Sequence, residues 1–528
     1  MPWASAMLVS EEGKVMVLGE TEEILARVEE DVKVVSLDGK YVYPGFHDSH
    51  VHLITGGLSL FSIDLQHVQS REEFVRRVKE GVAQVEKGEW VMGFGWDEHG
   101  WGGEWPTAEW LEQVAPDHPV LLLRYDMHAG LANFRALREA NLTEKSADPL
   151  SGRIGRELST GKPNGLLYEY ALVLVTSQIP KPSVQARGVA LERAAEYFLA
   201  RGVTCVHDMG RIALGPPGQS SPAWDDFREL YFPLADAGRL PLRVHAFMPL
   251  SSWKDLADFI HVAGFQHPGG FLSWGGLKEF YDGSLGSRTA LMQEPYDDKP
   301  GEIGEQLIAK DRLASLFAAS SSAGLSVAVH AIGDRANLDV SVVFAEGMPS
   351  KSGGTGSGPQ HRVEHAQHLG GEGTARTLAS SGAVASIQPL HMEADVPLLV
   401  ARLGSKRAGP AHSFAYRTLL REGVRLAMGS DWPVVRSDPI SAIVASVFRN
   451  TSGEAWVPEE SLTVSEALLA STRDAALAAN RGHDLGILEV GRWADLAVLS
   501  SDLLAVTSGG SRPHVLHTYV SGRCVYGC

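Results

Sequence analysis

The chain has 528 residues, 44% of them hydrophobic, which is enough for a large buried core and more than one compact domain usually holds. A formal charge of -17 gives no electrostatic footprint for nucleic acid or for an anionic membrane surface, so a small-molecule substrate is the expected partner. Three cysteines, Cys205, Cys524 and Cys528, offer neither a disulfide framework nor a paired Cys-x-x-Cys zinc signature, and a reducing, cytoplasmic compartment is the simplest expectation.

The first residues, Met1 to Glu12, lack a basic region and a long apolar core, and no later run has the roughly eighteen uncharged apolar residues of a membrane span. Neither a secretion signal nor a span is expected. Ala6 to Val42 reads as short strands with Gly turns, and so does Gly486 to Val525 at the other end. The two ends are expected to form one small composite β-domain, 1–44 with 484–528. Next comes a Val/Tyr-rich run, Val42 to His52, read as one strand. The stretch from 56 to 183 is too long for a βα connection and holds a helical pattern (Arg71 to Lys87), a strand-like run (Val120 to Tyr125) and Trp96, Trp101 and Trp105. It reads as an insertion covering an active face, its tryptophans more suited to packing than to ligand binding.

Beyond it, apolar β-branched runs alternate with helical patterns. With Val42 to His52 the strand candidates are Gly202 to Met209, Leu242 to Met248, Gly276 to Tyr281, Leu325 to His330, His361 to His365, Ala383 to Pro389 and Val424 to Ser430. Helices are expected at Gln185 to Ala200, Lys310 to Ala323 and Ala411 to Glu422, and a flexible loop at Ser350 to Gly358. Eight strand-helix units spell an α/β protein, a (β/α)8 TIM barrel over 45–483, with its chemistry at the C-terminal strand ends.

Polar residues collect at those ends. His50 and His52 alternate, so on a strand both imidazoles project the same way and can share one divalent ion. His330 closes Val327-Ala-Val-His330, His365 closes Arg362-Val-Glu-His365, and Asp431 follows Gly429-Ser430. Singly, each His reads more readily as a satisfied core histidine and Asp431 as a cap or turn carboxylate. Their joint placement at the ends of strands one, five, six and eight favours a distributed metal site. His47, an odd number of residues from His50, is expected to face away.

Five motifs carry a family resemblance: Pro44-Gly-Phe-His-Asp48-Ser-His50-Val-His52, Lys278-Glu-Phe-Tyr-Asp282-Gly283, His330-Ala-Ile-Gly-Asp334, Glu364-His365-Ala-Gln and Gly429-Ser-Asp431-Trp-Pro. With the ending Gly486-Ile-Leu-Glu-Val-Gly491-Arg-Trp-Ala-Asp495, the chain resembles the amidohydrolase superfamily, and more closely its YtcJ-like branch, related to N-substituted formamide deformylases and a plant light-signalling homologue. The resemblance implies His50 and His52 on one ion, His330 and His365 on a second, Lys278 at the strand-four ligand position and Asp431 beside the attacking water, with one or two ions per chain and zinc the ion of choice. A buried Lys278 favours its neutral amine, which can add carbon dioxide to form a bridging carbamate; the alternative is an ordinary lysine paired with Glu279 or Asp282.

The implied reaction is metal-dependent hydrolysis of a C–N bond in a small, N-substituted formamide-like amide, with Asp431 taking the water's proton and returning it to the leaving nitrogen. His391 can polarise the carbonyl or simply bond backbone. His128 and Glu169, from the insertion, resemble family segments that approach the site, and Arg288 can bind a substrate carboxylate or an internal acid. Alternatives are an ester, lactone or carbamate hydrolase on the same site, or a signalling protein retaining the fold. A homodimer is left open.

Overall fold

Eight parallel strands make the centre of the molecule: β1 (Phe46–Val51), β2 (Val203–Asp208), β3 (Arg243–Pro249), β4 (Leu272–Phe280), β5 (Ser326–Ala331), β6 (Arg362–His365), β7 (Val384–Ile387) and β8 (Arg425–Met428). They pair in sequence order. The ring is drawn shut where β1 meets the segment after β8: Asp431 N donates to His50 O at 2.7 Å and His52 N to Trp432 O at 2.9 Å. The protein is therefore a (β/α)8 barrel. This is a computed structural model, and it describes residues 4–28, 32–211, 221–347, 359–451 and 454–528; the segment Ser350 to Gly358 lies outside the described residues.

Both faces of these strands are covered, which is why they read as near-continuous apolar runs: every residue of β1, β2 and β5 is buried. The outer layer is helical. In Val184–Leu199 the Ser183 hydroxyl accepts from Ala186 N, fixing the helix start, and one apolar face packs on the barrel. The expected helix Ala411 to Glu422 is only Tyr416–Arg421, because Ala411 and Phe414 adopt positive φ (58° and 47°). Aliphatic side chains usually fill such a barrel. Here its lower interior holds His47, His207, His245, Arg362 and Glu364, all buried.

The expected single strand Val42 to His52 is two. Tyr41–Pro44 pairs antiparallel with Leu496–Leu499 in a four-stranded sheet with Val515–Val520 and Arg523–Tyr526, and the barrel begins at Phe46. Gly45 makes the crossing possible: a Cβ there would lie 2.3 Å from Thr204 Oγ1 on β2. A hairpin of Ala6–Val9 and Val15–Gly19 adjoins through the Lys14 to Trp493 bridge, so strands from both chain ends associate, in two sheets. Arg243 of β3 clamps this unit to the barrel, donating to both Asp495 oxygens at 2.6 and 2.9 Å. Cys524 and Cys528 form a disulfide, where the three cysteines were expected to offer no disulfide framework, and Cys205 is free. The spacing permits it because the chain doubles back after Arg523–Tyr526, leaving the two Cα atoms 6.0 Å apart.

The insertion carries a sheet of six strands in the order Ile63–Asp64, Val91–Trp96, Val120–Arg124, Ala129–Ala132, Pro163–Glu169 and Gly152–Arg156. Arg71–Val82 covers it, started by the Ser70 hydroxyl accepting from Glu73 N. Its tryptophans build its own core: Trp96 meets Trp105 edge-on at 5.6 Å, and Phe74 meets Trp101 at 5.6 Å. No helix of the described residues is long and apolar enough to cross a membrane.

Candidate metal centre

At the C-terminal end of β1, His50 and His52 aim their Nε2 atoms at one carboxylate oxygen. Asp431 Oδ1 lies 3.4 Å from His50 Nε2 and 3.3 Å from His52 Nε2. Atoms bonded at 2.0 to 2.1 Å in a tetrahedral zinc shell sit about 3.3 Å apart, so this spacing matches three ligands around one small cation. The far ring nitrogens are engaged: His50 Nδ1 lies 2.6 Å from Glu364 Oε2, and His52 Nδ1 2.7 Å from Gly210 O. Each imidazole thus donates through Nδ1 and leaves Nε2 as a lone pair. Burial, and then the charge of Lys278, push His50 down to about 4, which keeps it neutral and ligand-competent.

His365, His391 and Asp431 make a second close group sharing the same carboxylate. His365 Nδ1 is 2.8 Å from Gln388 Oε1, again leaving Nε2 free, and His391 stacks on the His365 ring at 5.8 Å. His330 packs 4.4 Å from His365 but stands outside both close groups: its Nε2 is 3.1 Å from Gly283 O, leaving Nδ1 for a cation. Burial lowers both His330 and His365 well below the usual imidazole range. His50 Nε2, Asp431 Oδ1, His391 Nε2 and Lys278 Nζ are all buried without a hydrogen-bond partner. Four orphaned buried groups, three of them in the two close His/Asp groups, fit a cation, because a buried polar atom without a partner is costly. Two of the residues are held in left-handed backbone, His365 at φ 74° and Asp431 at φ 63°, a conformation that costs about 1 to 3 kcal/mol and collects at functional sites.

Lys278 neither pairs with Asp282 nor makes a hydrogen bond to Glu279; burial pulls it to about 8, against the opposing pull of Glu364 and Asp431. His47 stays out of the His50 and His52 group, its ring edge-on to His207 at 5.9 Å in the layer below.

Above these residues lies a cavity in two adjoining lobes, both bordered by Asp126, His128, His330 and Asp431. His128 lies 2.9 and 3.0 Å from the two Glu169 oxygens. Burial alone would lower it, but the Glu169 carboxylate lifts it to about 9, making it a cation at neutral pH. Arg288 borders neither lobe; its guanidinium meets Asp298 at 2.8 and 3.2 Å, the internal-acid option. Sequence reasoning missed Arg211, Tyr125, Gln367 and Asp395 in the lining. Gln367 closes the quoted motif Glu364-His365-Ala-Gln without having been given a role, and nothing singled out the others.

A family profile described as amidohydrolase family matches residues 33–526. The chain belongs to the amidohydrolase family. Among relatives of this amidohydrolase, the Arabidopsis thaliana protein LONG AFTER FAR-RED 3 is 37% identical over 528 residues, covering 100% of this chain and 89% of the relative. The putative amidohydrolase YtcJ of Bacillus subtilis is 31% identical, covering 94% and 91% of the two chains. An N-substituted formamide deformylase of Arthrobacter pascens is 28% identical, covering 98% and 94%. A solved structure from Pyrococcus horikoshii, titled as an uncharacterized metal-dependent hydrolase, superimposes with a TM-score of 0.73 at 30% identity, over 95% of this chain and 94% of that one. The chain is accordingly a metal-dependent hydrolase of the YtcJ-like branch.

Proposed function

We propose that this amidohydrolase hydrolyses the C–N bond of a small N-substituted amide, a formamide or a close analogue, with His50, His52, Lys278, His330, His365 and Asp431 holding one or two divalent ions, zinc by ligand type. The observation that carries the reading is the convergence of His50 Nε2 and His52 Nε2 on Asp431 Oδ1 at 3.3 to 3.4 Å, in a buried pocket. When bound, the ion lowers the pKa of a water and polarises the scissile carbonyl.

The chain's own residues do the rest. Asp431, held well below the usual carboxylate range by His50 and His52 despite its burial, is ionised and takes the water's proton. It then returns that proton to the leaving nitrogen, which departs as a neutral amine. His391, whose Nε2 lies 3.6 Å from Asp431 Oδ2, polarises the carbonyl. The His128 cation borders both lobes and donates to the substrate's oxygen, while its Glu169 partner, in one lobe, holds the ring in place. Lys278 Nζ, buried and unpartnered, adds through its lone pair to carbon dioxide; the new N–C bond forms, a proton leaves, and the resulting carbamate offers two oxygens. The deformylase relative supports the formamide assignment.

A hydrolysis screen over formamides, longer acyl amides, carbamates, esters and lactones, run with metal-analysed protein, tests it. The formamides are expected to show the highest kcat/KM. Turnover confined to esters or lactones refutes the C–N assignment, and no turnover with a fully loaded metal site refutes the hydrolytic role.

A further inference from the structure

Below the metal centre a single arginine crosses the barrel. Arg362, on β6, donates to Glu364 Oε1 at 2.7 Å and Oε2 at 3.0 Å, to Ser49 O on β1 at 2.5 Å and to Ser386 Oγ on β7 at 3.0 Å, and its remaining nitrogen lies 3.0 Å from His207 Nδ1 on β2. Arg362 and Glu364 are both fully buried. A buried ion pair adds little net stability over a well-packed apolar pair, since desolvating two charges offsets their attraction. Stability alone does not explain why a charged pair stands where barrels usually place branched aliphatics.

Glu364 serves two partners at once. Its Oε2 takes the Arg362 guanidinium and also lies 2.6 Å from His50 Nδ1. Paired through both oxygens with the Arg362 guanidinium, this carboxylate can only accept. His50 must then carry its proton on Nδ1, which exposes the Nε2 lone pair to the ligand space. The other imidazoles have neutral anchors: His52 meets the Gly210 carbonyl and His365 the Gln388 amide. The bond from Arg362 to Ser49 O also fixes the peptide immediately before His50.

We propose that Arg362 and Glu364 are positioning residues for the metal centre: Arg362 orients Glu364, and Glu364 locks His50 in the tautomer and rotamer that present Nε2 to the cation while strengthening it as a donor. The inference rests on the reading of His50 as a ligand. An anionic anchor on a ligating imidazole raises its basicity, and loss of such an anchor weakens metal binding about 10 to 100-fold.

Two measurements test it. Zn2+ affinity is read by competition with a chromophoric chelator on wild-type protein and on the charge-balanced variant Arg362→Met/Glu364→Gln, which leaves no uncompensated buried charge. The wild type is expected to bind Zn2+ and the variant to bind it about 10 to 100-fold more weakly, while the chelated forms of both melt cooperatively at similar temperatures. Equal affinity in the two proteins overturns the positioning role and leaves the metal centre standing; a wild type that takes up no Zn2+ overturns the metal reading itself. Independently of how the variant folds, nitrogen chemical shifts of labelled His50 in metal-free wild type read the tautomer: protonated Nδ1 is expected, and protonated Nε2 overturns the proposal.

Discussion

Replacing Glu169 by Gln should uncouple His128 from its counter-charge and expose the cost of its burial. In the metal-free protein His128 is lifted from 6.5 to about 9, with burial opposing and the Glu169 carboxylate, at 2.9 and 3.0 Å, driving the rise. The folded pKa exceeds the unfolded one, so the pair stabilises the fold fully below pH 6.5, progressively less as pH rises, and not at all above about pH 9. At 1.36 kcal/mol per pKa unit the contribution is about 3 kcal/mol. Urea unfolding of chelated wild type between pH 6 and 10 should therefore lose about 3 kcal/mol, whereas Glu169→Gln should start lower and show a nearly flat profile. Proton NMR of His128 provides the direct reading: titration near 9 in wild type, and clearly lower in the variant, where only Asp126 and Asp282 still oppose burial. A wild-type His128 that titrates at or below 6.5, or a variant that still titrates near 9, would refute the reasoning. A bound cation beside His330 would lower the wild-type value, which is why the chelated protein is specified.

Asp431→Asn should cut turnover by about 10² to 10⁴ with an unchanged circular dichroism spectrum, since the amide cannot take the water's proton; near-normal rates would remove Asp431 as the base. Wild-type protein equilibrated with 13C-bicarbonate should show a carbamate carbon that is missing in Lys278→Ala, and its absence from both would leave Lys278 a plain amine. Arg243→Met should lower unfolding free energy by about 3 to 5 kcal/mol, because Asp495 would stay buried without its bidentate partner. A loss under about 1 kcal/mol in urea unfolding would show that the clamp between barrel and terminal strands is energetically idle.

Much of the barrel was legible because parallel strands covered on both faces leave apolar β-branched runs ending in polar residues. All eight expected segments overlap observed strands, although Gly276 to Tyr281 begins four residues into Leu272–Phe280. Helix Val184–Leu199 was legible for a similar reason: a serine cap precedes an amphipathic stretch. Gly45 was not, since the need for glycine there arises from Thr204, far along the chain. The insertion's sheet was hidden as well, with the polar strand Gly152–Arg156 carrying neither alternation nor β-branched enrichment beyond Ile154. At the site, His50, His52 and Asp431 showed themselves by type and position at strand ends. The supporting pair did not, although Arg362 and Glu364 are two apart and so share a face. Nothing local reveals that this face looks into the barrel, across to β1 and β2. Arg288 looked like a substrate anchor because its partner, Asp298, lies beyond the motif that drew attention to it.

The central claim, that His50, His52 and Asp431 converge on a divalent ion, is tested most directly by counting metal. Protein purified without chelator should carry one or two divalent ions per chain. His50→Ala should lose at least one, and chelation should lower the melting temperature of wild type, as a ligand bound at about 1,000 times its Kd contributes about 4 kcal/mol. A wild type that is metal-free, fully folded and indifferent to both chelator and added Zn2+ would contradict the account.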